Sequence, residues 1–150
     1  MNPPFEPRLA QVAIVVSDIE ETAGRFASLL GIERPAIHVT RPGDEVAVEY
    51  RGRATSSRAK LAFLDLGGVQ LELIQPIGED SAWAERFSGG NALHHIAFWT
   101  DDMSGASASM AAHGAPLAMR GDFDDGSGEY AYFDGHEHFG CFIELLARKG

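Results

Sequence analysis

The sequence predicts an α+β fold in which two tandem βαβββ modules form one cupped, mixed β-sheet with helices on its outer side. Three observations point there. Strand-like runs rich in β-branched residues alternate with single amphipathic helix signatures. Glycine pairs fall where hairpins and linkers are needed. The chain also repeats itself: LAQVAIVVSDI from Leu9 overlays LHHIAFWTDDM from Leu93, an offset of 84 (93 minus 9) that sets Gln11 opposite His95 and Asp18 opposite Asp102. LDLGGVQLELI from Leu64 overlays FDGHEHFGCFIELL from Phe133 after a three-residue insertion, setting Glu72 opposite Glu144.

The elements follow in order. Leu9 to Val16 is β-branched and apolar, a buried strand. Asp18 and Glu21 form a capping box for a helix whose apolar face is Ile19, Ala23, Phe26 and Leu30, and Gly31 stops it. Three strands are expected next, at Glu45 to Tyr50, Lys60 to Leu66 and Val69 to Gln75, with Gly67-Gly68 as the hairpin turn and Pro76 as the end. The polar, basic stretch Arg51 to Arg58 reads as a mobile loop. Ser81 caps a short helix that runs out at Gly89-Gly90.

The second half repeats the plan. A strand starts at Leu93, a small-residue helix spans Asp102 to Ala112, and strands at Tyr130 to Asp134 and Cys141 to Ala147 flank the polar tip GHEHFG. Leu117 to Met119 is the weakest strand signal. The 150 residues thus form a single domain with module 1 over about 8–76, a linker helix over about 77–91 and module 2 over about 92–148.

Composition narrows the function. The net charge of −10 repels phosphate backbones, so no nucleic-acid partner is expected. No apolar run is long enough to span a membrane, MNPPFEPRLAQ lacks a signal-peptide pattern, and the lone Cys141, placed in apolar CFIELL, reads as a core residue; a cytoplasmic protein with no membrane partner is expected.

Four polar residues sit in the middle of apolar strands: Gln11 in QVAIV, Glu72 in QLELI, His95 in HHIAF and Glu144 in CFIELL. A carboxylate there is costly unless paired, hydrogen-bonded or bound to a metal, and this chain makes that choice twice. Strand alternation puts Gln11 with Ala13 and Val15, Glu72 with Gln70 and Ile74, His95 with Ala97, and Glu144 with Phe142 and Leu146. If the modules pair about a pseudo-twofold axis, the four converge. Their mixed nitrogen and oxygen donors suit one divalent ion, Zn, Mn, Co, Ni or Fe(II). By the same alternation His94 is expected on the opposite face, in a supporting or structural role.

These residues resemble the vicinal-oxygen-chelate superfamily of glyoxalases, acyl-CoA epimerases, resistance proteins and extradiol dioxygenases, over nearly the whole chain. The stretch from Val69 to Asp102 and the terminal FIELL are similar to the methylmalonyl-CoA epimerase-like branch. The resemblance implies metal ligands at Gln11, Glu72, His95 and Glu144, although Gln11 stands where most epimerase-like relatives have His and glyoxalase I of the animal type has Gln. It implies Glu144, then Glu72, as the proton-moving base, with Glu49 in VAVEY near an additional base of the epimerases. It also implies a homodimer and a small-molecule substrate.

The expected function is a metal-dependent isomerase, epimerase or lyase that removes a proton next to a carbonyl, on a CoA thioester or a hydroxy-carbonyl compound. A resistance-type binder of small molecules is the alternative. A ring-cleaving dioxygenase is third, because Gln11 breaks the two-histidine, one-carboxylate pattern. His136 and His138 read as a solvated tip. Trp83, Phe87, Trp99, Phe123 and Tyr130 are candidate pocket walls, and Arg51, Arg53 and Arg58 are candidate contacts for an anionic substrate.

Overall fold

The computed structural model describes residue 3 and residues 5–150. β1 (Gln11–Val15) leads into α1 (Ile19–Leu30), where Asp18 Oδ1 accepts from the Glu21 amide at 3.2 Å and Gly31 closes the helix at φ 64°. β2 (His38–Val39), β3 (Glu49–Tyr50), β4 (Arg53–Ala54), β5 (Arg58–Asp65) and β6 (Gln70–Ile77) follow. After α2 (Ala82–Glu85) come β7 (Ala92–Trp99), α3 (Met103–Ala112), β8 (Leu117–Asp122), β9 (Gly128–Asp134), α4 (His136–Phe139) and β10 (Phe142–Arg148). Among the described residues no helix is long and apolar enough to cross a membrane.

Four expectations change. The strand expected over Glu45 to Tyr50 shrinks to its last two residues, because residues 43–45 form a 3₁₀ turn and Ala47 takes a positive φ of 55° that no strand accommodates. The loop expected over Arg51 to Arg58 is a hairpin, with Arg51 and Gly52 both left-handed at φ 51° and 81°, the conformation of a two-residue turn. The tip GHEHFG folds as the single helical turn α4 and is closed by left-handed Gly140. The weak strand at Leu117 extends to Asp122.

All ten strands form one sheet in the order β2-β5-β6-β1-β7-β10-β9-β8-β3-β4. In each half the first strand lies parallel to the last, β1 with β6 and β7 with β10, and the two halves join through antiparallel β1 and β7 at the centre. The β3–β4 hairpin, from the first half of the chain, extends the edge of the second by pairing Glu49 with Arg120 and Tyr50 with Met119. On the outer face, α1 covers Val16, Leu64 and Leu73, while α3 covers Ala131, Phe133 and Leu145. The inner face carries its own apolar cluster, including Ala13, Ile74, Trp83, Tyr132 and Phe142, and curls around a cavity of about 500 Å³.

Candidate active site

Register explains how four residues from four strands meet. One row across the sheet runs Gln70 on β6, Gln11 on β1, Ala97 on β7, Glu144 on β10 and Tyr132 on β9. The next runs Glu72, Ala13, His95 and Phe142. Ala13 and Ala97, both 0% exposed, stand between the polar side chains and leave them room to lean together. They do: His95 Nε2 lies 2.8 Å from Gln11 Oε1, 3.2 Å from Glu144 Oε1 and 3.4 Å from Glu72 Oε1. All four residues are buried, and Gln11, Glu72 and Glu144 line the cavity.

His94 is not on the opposite face. The β1–β7 register slips between Ala13, opposite His95, and Ile14, opposite Leu93, so His94 is the extra residue of a β-bulge. Its ring turns inward onto Phe142, with centroids 5.0 Å apart, and its Nδ1 lies 2.8 Å from Nδ1 of His95. Its Nε2 meets the Ala82 carbonyl oxygen at 2.9 Å, an acceptor, and so carries hydrogen. Burial, then the neighbouring His95, lowers the His94 pKa to about 3 and keeps the ring neutral. Its Nδ1 is therefore a lone pair that accepts from His95 Nδ1–H, which leaves Nε2 as the His95 atom that faces the oxygens. Gln11 is oriented likewise: its Nε2 donates to Gln70 Oε1 at 2.7 Å, which leaves Oε1 facing His95.

The centre thus gathers one imidazole nitrogen and three side-chain oxygens, and among the described residues Glu72 Oε1 is a buried oxygen with no hydrogen-bond partner. Burial, and secondarily Glu144, raises the Glu72 pKa well above the carboxylate range. The donor set fits a divalent cation. Donors about 2.1 Å from one ion stand roughly 3.0–3.4 Å apart, which brackets the contacts of both carboxylates with His95. Among the described residues no three His, Cys, Asp or Glu side chains form a ready-made cage. Here an amide oxygen makes the fourth donor, and the oxygens are drawn in on the imidazole nitrogen.

The remaining candidates are dispersed. Glu49 is half-exposed beside Arg120 at 3.7 Å and does not line the cavity. Trp83, Trp99, Phe123 and Tyr130 are cavity walls, whereas Phe87 is not. Arg51 binds Glu85 and Asp134, away from the cavity, and none of Arg51, Arg53 and Arg58 lines it. His136 pairs with Asp134 at 2.7 Å, and His138 is exposed near Glu137. Cys141 is buried, which raises its thiol pKa as a core residue requires. Gln70 and Tyr132, in register beside two of the donors, carried no sequence signal beyond their strand positions.

Fold and site together define a class: a curled mixed β-sheet with a buried carboxylate–imidazole centre on the floor of a small-molecule-sized cavity. The profile of the Glyoxalase/Bleomycin resistance protein/Dioxygenase superfamily matches residues 10–133, and the chain belongs to that superfamily. It is 30% identical over 143 residues to the ethylmalonyl-CoA/methylmalonyl-CoA epimerase of Cereibacter sphaeroides, covering 92% of this chain and 96% of that one. Its fold is similar to that of methylmalonyl-CoA epimerase from Mycobacterium tuberculosis, with TM-score 0.68, 17% identity and coverage of 100% and 93% of the two chains. A variant of the Streptomyces coelicolor methylmalonyl-CoA epimerase in complex with 2-nitronate-propionyl-CoA gives TM-score 0.64, 19% identity and coverage of 95% and 98%.

Proposed function

We propose that this protein is a metal-dependent epimerase or related isomerase or lyase that moves a proton on the carbon next to a carbonyl, in a small CoA-thioester or hydroxy-carbonyl substrate. The observation that carries this reading is the convergence of His95 Nε2, Gln11 Oε1 and two carboxylates on the floor of a cavity. The epimerase relative supports the reaction type. Gln11, Glu72, His95 and Glu144 would hold the ion, and a divalent cation there supplies Lewis-acid stabilisation of the negative charge that builds on a substrate oxygen.

The chain's own groups do the rest. Glu144 is the base: it takes the proton from carbon, the C–H electron pair delocalises toward the carbonyl oxygen, and Glu144 returns the proton to the neighbouring carbon, or Glu72 delivers one to the opposite face. Glu72 is the second carboxylate and the alternative base. Trp83, Trp99 and Phe123 line the cavity with apolar surface and limit water around the charged form. Glu49 does not line the cavity and is the third base candidate, after Glu144 and Glu72.

Solvent-deuterium exchange into acyl-CoA and hydroxy-carbonyl substrates tests the reading. Replacing Glu144 by Gln is expected to slow exchange by about 10²–10⁴-fold, and chelation is expected to stop it until a divalent ion is restored. Exchange that survives both treatments would refute the proposal, and tight small-molecule binding without exchange would favour a binder.

A further inference from the structure

Beside the four donors stand two aromatic residues that the proton transfer above does not use for chemistry. Tyr132 on β9 lies directly opposite Glu144 on β10, is 3% exposed and lines the cavity. Directly opposed side chains on one sheet face have Cβ atoms about 5 Å apart, so the ring stands next to the proposed base. Its ring also packs against His95, with centroids 5.0 Å apart. Trp83 on α2 donates its indole N–H to the Tyr132 hydroxyl oxygen at 3.1 Å. An indole nitrogen can only donate, so at this contact the phenol oxygen accepts and its hydrogen turns elsewhere. Among the described residues Tyr132 donates no hydrogen bond, although it is buried and a buried hydroxyl ordinarily does both.

We propose that Tyr132 is a catalytic residue whose hydroxyl donates a hydrogen bond to the substrate oxygen that gains charge when Glu144 removes the adjacent proton, with Trp83 as the residue that positions the phenol. The inference rests on the proton-transfer reading above and adds a protein donor to it. No proton leaves Tyr132: the carbon-bound proton goes to Glu144, the electron pair moves toward the substrate oxygen, and the phenolic hydrogen bond shortens onto that oxygen as charge grows. The Trp83 N–H polarises the phenol and makes it the stronger donor. A purely structural Tyr132 would only satisfy the Trp83 indole.

Zinc-loaded wild type, Tyr132→Phe, Trp83→Phe and the double variant separate these roles. Loss of one oxyanion donor lowers kcat by about 10²–10³-fold. Tyr132→Phe is therefore expected to slow deuterium exchange into methylmalonyl-CoA or 2-hydroxyacetophenone by that order, with KM nearly unchanged. Trp83→Phe should act in the same direction more weakly, and the double variant should be no worse than Tyr132→Phe. With ring-carbon-labelled tyrosine, the Tyr132 resonance, assigned by its loss in Tyr132→Phe, is expected to shift when acetohydroxamate, a vicinal-oxygen probe, binds the zinc-loaded protein. Unaltered exchange in Tyr132→Phe, or a Tyr132 resonance unmoved by bound acetohydroxamate, overturns the assignment. Failure of the wild type to exchange either substrate would count against the proton-transfer reading alone, because the resonance is read without turnover.

Discussion

Glu72 is a buried carboxyl beside a second one, and pH exposes the cost of charging it. Its folded pKa is raised, first by burial and then by Glu144, so the folded chain holds this proton more tightly than the unfolded chain. That contribution is complete below the ordinary value of 4.5 and is lost as pH climbs through the folded value. His94 runs the other way: with a folded pKa of about 3 against an ordinary 6.5, its contribution is present above 6.5 and is lost as pH falls toward 3. Above 4.5 the metal-free protein should therefore lose the Glu72 contribution as pH climbs through its raised folded value, and Glu72→Gln, which cannot ionise, should flatten that loss; thermal melts in chelator across pH would show it, and an unchanged slope in the variant would refute it. In the proposed metal site Glu72 must ionise to hold the ion, so affinity should also rise with pH. The donors themselves were legible in the sequence, since each is a polar residue inside an apolar strand. The Gln11–Gln70 and Trp83–Tyr132 bonds were not, because the partners lie 59 and 49 residues apart and nothing local marks them, although Trp83 itself was read as a pocket wall.

At the scale of elements, what could be read depended on whether the signal was local. The α1 and α2 caps follow from Asp18 and Ser81, whose side chains accept the amides of Glu21 and Ala84. The β3–β4 hairpin escaped because Ala47 and Arg51 take positive φ without being glycine, and because two-residue strands carry no periodicity. The bulge in β7 was equally hidden, since strict alternation sends His94 outward. That irregularity is what allows two consecutive histidines to share the inner face, one bearing a donor atom and the other fixing where its hydrogen sits. His94→Leu should keep the fold but free the His95 tautomer, lowering divalent-metal affinity by about 10–100-fold. His94→Asn, with an acceptor near the Nδ1 position, should recover part of that loss. Chelator-competition titrations would measure both, and equal affinities for the Leu and Asn variants would show that hydrogen orientation is irrelevant.

For the molecule as a whole, the internal repeat announced two similar halves, but not how they interlock. The β3–β4 hairpin of the first half pairs with β8 of the second, and Arg51 at its turn bonds Glu85 and Asp134. Across the cavity mouth, Asp124 of the second half accepts from the Arg41 backbone amide at 3.1 Å and pairs with His38 at 2.9 Å, while the Asp122 amide donates to the Val46 carbonyl oxygen at 2.9 Å. Each such exposed polar contact is individually weak, on the order of 1 kcal/mol or less. The β1–β7 seam and the hairpin exchange add backbone ladders on both sides of the cavity, so opening one half leaves paired strands of the other without partners. The two halves should therefore unfold together. Far-UV circular dichroism, which reports all ten strands, and fluorescence of Trp83 and Trp99 should give coincident denaturant transitions with and without a divalent ion, the ion moving both midpoints equally. A fluorescence transition that precedes the circular dichroism one would mean that the second half and the linker helix open alone, and that the donors from β1 and β6 are not locked to those from β7 and β10.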